Sequence, residues 1–217
     1  MLELIEIVRE KGLPAFALTD HSPVHNTPPE HFSVMLRRMP KTIRGIRVFK
    51  GIEATILDTN GSLSVPYRDT YTYEIILAVL HEYGYFADNR DIGTNTTAVI
   101  NVMRNNPDVK IITHPFYRAF PLDLDAVTDV ALETDTALEI NNSYILTGKS
   151  DRDALDTLLG HVNEKKIRIS VDSDGHMINE VGEFSLALEE LKRFGVDESL
   201  IVNRTMESTL AFLGLEE

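Results

Sequence analysis

The sequence lacks Cys and Trp altogether, and its basic residues are few: 21 Lys and Arg stand against 34 Asp and Glu, a formal charge of −13. Without Cys there is no disulfide framework, thiolate zinc site, iron–sulfur cluster or cysteine nucleophile. The negative balance argues against nucleic acid or an anionic membrane as the main partner, since both need a positive field. It leaves room for an anionic small substrate, because bound metal ions reverse the sign locally. Long apolar runs are also missing. The longest is 75–80, far short of the roughly 20 residues of a spanning helix. Glu3 and Glu6 interrupt the first segment, which is wrong for a signal peptide, so a cytoplasmic protein is expected. Three Asn-x-Ser/Thr matches, at Asn95, Asn141 and Asn203, are read as chance.

What is present is an alternation. Apolar runs at 15–19, 48–56, 74–80, 109–113, 137–140 and 167–171 read as buried strands. Amphipathic patterns at 2–11, 29–38, 94–105, 123–133, 150–163, 182–194 and 205–213 read as helices. Such an order implies an α/β fold with a parallel sheet and helical crossovers. No fixed repeat, low-complexity tract or linker appears, so 1–217 is taken as one domain. Residues 58–72, rich in Gly, Pro, Ser and Thr, read as a long loop.

Six residues with metal-ligating side chains fall at or near strand ends: His21, Glu53, His81, His114, Asp174 and His176. A single His in such a place is more often an ordinary loop residue. In a parallel sheet, however, the strand ends converge on one face, and the six together point to a metal site. Imidazole with carboxylate suits Zn, Mn, Fe or Ni. Glu53 is the sharpest of the set, because a carboxylate inside a parallel strand is costly to bury unless paired. An ion pair with Lys50 or Arg47 is the bland alternative. His25 and His31 are read as loop or helix-surface residues and His161 as solvated. Arg38, Arg90 and Arg118 are candidates to contact an anionic substrate.

Several signatures fail. Thr147-Gly148-Lys149-Ser150 looks like the tail of a phosphate loop, but Ser143 stands where its first Gly belongs. No G-x-G-x-x-G, G-x-S-x-G or H-E-x-x-H is present, which disfavours kinase, dehydrogenase, serine-hydrolase and zincin readings.

An ordered set of short motifs does carry a resemblance. Leu18-Thr19-Asp20-His21, Gly51-Ile52-Glu53-Ala54, Leu80-His81-Glu82, Ile112-Thr113-His114-Pro115, Leu138-Glu139-Ile140-Asn141-Asn142 and Ser173-Asp174-Gly175-His176 occur in the order seen in the polymerase and histidinol phosphatase (PHP) superfamily. Within it the sequence is most similar to the YcdX-like phosphatases. The resemblance implies a distorted seven-stranded β/α barrel with up to three metal ions, usually Zn or Mn, at the C-terminal strand ends. It implies hydrolysis of a small phosphorylated substrate by metal-activated water. Carried over by position, Glu53 bridges two metals, His81 and His114 complete one of those sites, Asp174 joins the other, and His21 and His176 hold the third. Glu53, Asp174 and His176 are thereby placed at the catalytic centre.

The sequence departs from that pattern at its start. The family opens with a strand ending in Asp-x-His-x-His, and this chain has no His-x-His. The expected fold is therefore the PHP-type barrel lacking its first strand, with an open edge on the strand containing Phe16. The site of Glu53, His81 and His114 is the one kept intact. The adopted reading is that Met1 is an internal start; true loss of the segment is the competing one. A non-catalytic metal-binding or interaction module, associating as a homo-oligomer through the open edge, is the alternative function. An amidohydrolase-type enzyme with Lys50 as a bridge is a third.

Overall fold

The computed structural model describes residues 1–22, 29–65, 72–82, 86 and 90–216, and of residues 29–33 the backbone alone. Its centre is one parallel sheet. Strands β1 (Ala15–Leu18), β3 (Ile46–Thr55), β4 (Ile75–Val79), β5 (Val109–Ile112), β6 (Ala137–Asn141) and β7 (Ile169–Asp172) lie side by side in that order, with every neighbouring pair parallel. They curl into a half-barrel. Strand β2 (Thr42–Ile43) adds an antiparallel hairpin to the start of β3. Its two-residue turn, Arg44-Gly45, has φ of 51° and 84°. Positive φ at both positions matches the twist of the flanking strands.

The crossovers are helical: α1 (Leu2–Glu10), α2 (Pro29–Arg38), α3 (Ile92–Asn105), α4 (Leu124–Thr134), α5 (Asn142–Leu146), α6 (Arg152–Lys165), α7 (Ser185–Phe194) and α8 (Met206–Leu213). Side-chain caps fix where several begin. Asp91, Asp123 and Asp151 accept backbone N–H bonds from Thr94, Ala126 and Ala154 at the starts of α3, α4 and α6, and Thr205 forms a capping box with Ser208. None of the described helices is long and apolar enough to cross a membrane.

Strand alternation assigns the two faces of the sheet. Ile52, Ala54, Ile76, Ala78, Ile112, Leu138 and Ile140 pack under helical residues such as Val99, Val127, Leu158 and Ala187. On the opposite face Phe49, Ile75, Leu77, Ile111 and Ala137 meet Val202, Leu210 and Leu213 from the C-terminal segment. Glu53 and Glu139 share the parity of that second face, further along their strands. The half-barrel is thus plugged with apolar side chains at one end and lined with polar ones at the other. The hairpin end has its own small core of Ile5, Val8, Ile46 and Val48.

Among the described residues β1 pairs only with β3. At the far end β7 adds a single bridge, Ile169 to Ile201. The three Asn-x-Ser/Thr asparagines use their side-chain amides internally. Asn95 donates to Pro121 O, Asn141 to Glu139 and Asp174, and Asn203 to Val171 O and Asp172.

A half-buried ion pair locks β3 to the approach of β4. Arg47 reaches both oxygens of Glu74, at 2.5 and 3.2 Å, and Glu74 Oε2 also accepts the Lys50 N–H at 3.0 Å. Burial acts to raise the Glu74 carboxyl, but the bonds from Arg47 and Lys50 prevail and hold it below its ordinary value. Removing one partner leaves the other uncompensated. Glu74→Gln is expected to cost roughly 3 kcal/mol at neutral pH, read as a lowered urea midpoint. A depressed folded-state value means this contribution is complete above the unfolded glutamate range and is lost as pH falls through the folded one. The gap between wild type and variant should therefore narrow in acid.

Candidate functional site

The C-terminal strand ends surround a cleft of about 400 Å3. Glu53 stands at its centre. The β1 ladder continues past Leu18 along this part of β3: Glu53 N–H donates to Asp20 O at 3.0 Å, and Ser22 N–H donates to Glu53 O at 2.8 Å. His21 is thereby bridged directly to Glu53. The approach requires a glycine at 51, since a Cβ there would lie 2.5 Å from Thr19 Cγ2 and 2.7 Å from Ile75 Cγ2.

The two Glu53 oxygens face different imidazoles. Oε2 is 2.6 Å from His21 Nδ1 and 3.7 Å from His81 Nε2, and Oε1 is 3.9 Å from His114 Nε2. His81 Nδ1 is engaged by Thr55 Oγ1 at 2.8 Å, which leaves Nε2 turned toward the carboxylate. Ligand atoms of His21, Glu53 and His81 all lie within 4.8 Å of one another, close enough to hold one metal ion. Imidazole with carboxylate is the donor set of borderline divalent ions such as Zn. Neither bland alternative for Glu53 holds: Arg47 is taken by Glu74, and Lys50 has the opposite strand parity.

The electrostatics favour ligation. Burial pushes both His81 and His114 down to about 4, so they are neutral with lone pairs available. The hydrogen bond from His21 to Glu53 is the largest influence on His21 and raises it. Burial acts to raise Glu53, but His21, His114 and His81 prevail and hold it below its ordinary value, as a carboxylate.

Asp174 and His176 reach the cleft from the loop after β7. His176 Nδ1 lies 3.6 Å from Asp174 Oδ1, and its ring centroid is 6.4 Å from that of His21. Asp174 and His114 both have positive φ, 45° and 29°, a region that non-glycine residues seldom adopt without supporting contacts. At His114 such a contact is visible: its N–H donates to Glu139 Oε2 at 2.7 Å. Asn141 Nδ2 spans Glu139 and Asp174, at 3.1 and 3.2 Å. Burial and the nearby carboxylates Asp172, Asp174 and Glu53 raise Glu139 well above its usual range. Asp172 Oδ1 accepts from Asn203, while its buried Oδ2 has no hydrogen-bond partner among the described residues. Burial pushes Asp172 up to about 6.

All six expected ligand residues therefore border one cleft. The sequence reading quoted Glu139, Asn141 and Lys149 within motifs but gave none of them a place in the site, and it missed Tyr144. Glu139 offered the same signal as Glu53, a carboxylate inside an apolar parallel strand. Of the three arginines considered for the substrate, none lines the cleft: Arg38 is exposed at the end of α2, Arg90 packs over Phe120, and Arg118 binds the carbonyls of Lys149 and Ser150. His161 is not solvated as expected. Its side chain is only 15% exposed and lies 3.1 Å from Asp125. His25 and the side chain of His31 lie outside the described residues.

No protein-family model matches the sequence. Among curated proteins, the chain is 33% identical over 215 residues to a "Probable phosphatase" of Caldanaerobacter subterraneus subsp. tengcongensis, covering 97% of this chain and 84% of the relative. It is 35% identical over 215 residues to a "Probable phosphatase" of Shewanella halifaxensis, with the same coverage, and 34% identical over 218 residues to one of Syntrophotalea carbinolica, covering 98% and 88%. Among solved structures, one chain of an archaeal ribonuclease P cryo-EM structure with mature tRNA has a similar fold, with TM-score 0.63, 14% identity, and coverage of 99% of this chain and 87% of that one. A Listeria monocytogenes crystal structure described as a "putative histidinol phosphatase" matches with TM-score 0.51 and 12% identity, over 83% and 90%. At these identities the two structures speak for the fold alone.

Histidine titration checks the charge arrangement. In metal-free protein followed by NMR, His21 should titrate above the ordinary imidazole range, and His81 and His114 should stay neutral down to about pH 4. In Glu53→Gln, His21 should move down toward its ordinary value. His81 and His114 should not rise, because the carboxylate pulls them up rather than down.

Proposed function

The chain belongs to the family of these probable phosphatases, and on that premise we propose that it is a metal-dependent phosphoesterase acting on a small phosphate ester. The observation that carries this reading is Glu53, whose oxygens face His21 and His81 on one side and His114 on the other. A carboxylate so placed suits a bridge between two divalent ions, with Zn or Mn favoured by the donor types. A divalent ion held there would supply Lewis-acid polarisation of phosphate oxygens and acidify a water molecule.

The protein's own groups would do the rest. His21, Glu53 and His81 would hold the ion, with His114 serving the second carboxylate oxygen. Asp174 and His176 would extend the ligand set at the rim. Asn141 would hold Asp174 in place, and Glu139 would fix the His114 backbone. Tyr117, pushed up to about 12 chiefly by burial, and Tyr144, raised for the same first reason, remain protonated at neutral pH. Both border the cleft; Tyr144 is suited to donate a hydrogen bond to a phosphate oxygen, while the Tyr117 hydroxyl already bonds Glu82.

Lys50 does not serve the amidohydrolase alternative. It alternates to the other face of β3 from Glu53 and does not border the cleft. A non-catalytic metal-binding module would keep the ions and lack turnover.

The test is metal content by elemental mass spectrometry together with hydrolysis of a panel of phosphate monoesters. The wild type should carry Zn or Mn and release phosphate. Glu53→Gln should lower metal affinity and turnover by at least about a hundredfold, since even outer-sphere partners of a metal ligand cost ten- to a hundredfold. Unchanged metal content in that variant, or a metal-loaded wild type that hydrolyses no ester, would overturn the reading.

A further inference from the structure

The cleft that would receive a phosphate carries four carboxylates, Glu53, Glu82, Asp174 and Glu180, and among the described residues one ammonium or guanidinium group, that of Lys149. Its place is built rather than accidental. Helix α5 ends at Leu146 with Thr147 as its cap, and Gly148, with φ of 66°, turns the chain back toward the cleft. The Lys149 main chain is then held on both sides. Its N–H donates to Tyr144 O at 2.9 Å, and its carbonyl accepts from Arg118 N–H at 3.2 Å and Arg118 Nε at 3.3 Å. The flanking residue Ser150 bridges Tyr117. Lys149 Nζ rests 4.9 Å from the centroid of the Tyr144 ring. Tyr144 in turn stacks on His114, with centroids 4.0 Å apart and planes 9° from parallel. His114 faces Glu53.

Lys149 thus stands one aromatic ring away from an imidazole of the candidate metal site, on a backbone that cannot drift. The Tyr144 ring supports the ammonium without neutralising it, since a cation–π contact leaves its three donors free. We propose that Lys149 is the substrate-binding residue that grips the phosphoryl group on the side away from the metal ligands. This rests on the phosphoesterase reading and deepens it: the substrate's phosphoryl oxygens would lie between the Glu53 centre and Lys149. The Thr147-Gly148-Lys149-Ser150 segment fails as a nucleotide-binding loop, yet its lysine is placed to meet a phosphate by another route. Arg118, which sequence reasoning offers as a substrate contact, is a positioning residue that holds the Lys149 main chain.

The probe is inorganic phosphate, titrated calorimetrically into Mn-loaded wild type, Lys149→Gln and Lys149→Arg, with metal content and melting temperature measured on each. Lys149 is exposed, so neither substitution should disturb folding. Lys149→Gln should weaken phosphate binding at least about tenfold at unchanged metal content, the scale of one charge-assisted hydrogen bond. Lys149→Arg should stay within about threefold of wild type. Phosphate binding indifferent to Lys149→Gln, metal loss in that variant, or a wild type that binds no phosphate would each overturn the proposal. The two readings fail separately. Lys149-dependent phosphate binding without ester hydrolysis would sink the phosphoesterase and keep the anion site. Hydrolysis with a kcat/KM indifferent to Lys149→Gln would do the reverse.

Discussion

The structure turns on one buried carboxylate. Glu53 sits inside a ten-residue strand whose neighbours in sequence, Ile52 and Ala54, are core residues. A charge in that position must be compensated. Three imidazoles surround it, and each is delivered by a different piece of the fold. His21 arrives because the β1 ladder continues alongside β3, which demands a glycine at 51. His81 and His114 arrive because β4 and β5 end at the same level of the half-barrel. Burial keeps those two neutral, so the direct compensation of the carboxylate is the hydrogen bond from His21. The same arrangement gathers His21, Glu53 and His81 closely enough to hold a metal ion.

Strand parity explains why this polar centre coexists with a stable sheet. One face is apolar throughout and lies under α3, α4, α6 and α7. The other is divided along its length: Phe49, Leu77 and Ile111 close one end against α8, while Glu53 and Glu139 line the other. Behind Glu53 lies a second acidic layer of Glu139, Asp174 and Asp172, tied together by Asn141 and Asn203. Burial first, and the neighbouring carboxylates second, raise Glu139 and Asp172. Glu53 is held as a carboxylate below its ordinary value, whereas Glu139, Asp172 and Asp174 are all raised.

Much of this was legible in the residues. Long periodic segments such as α3, α6 and β4 were placed within about two residues, because their pattern and their caps agree. The ligand set was legible because the six side chains fall at or near strand ends, where a parallel sheet gathers them. The short pieces were not. The β2 hairpin turns on Arg44-Gly45 instead of the usual Asn-Gly, and α5 has five residues, too few for a helical period to show. Lys149 was passed over because its motif was weighed only as a phosphate loop, and His161 was judged by the charge of its helix rather than by its face.

The sequence by itself determined the class of the fold, the order of its strands and helices, and the residue types that meet at one end of the sheet, because these follow from periodicity and chain order. Pairwise geometry belonged to the tertiary structure. That His21 contacts Glu53 directly, that the two Glu53 oxygens face different imidazoles, and that Lys149 rather than Arg118 borders the cleft depend on ladder register, strand curl and a left-handed turn. Those are set by contacts between segments distant in the chain, and local pattern carries no record of them.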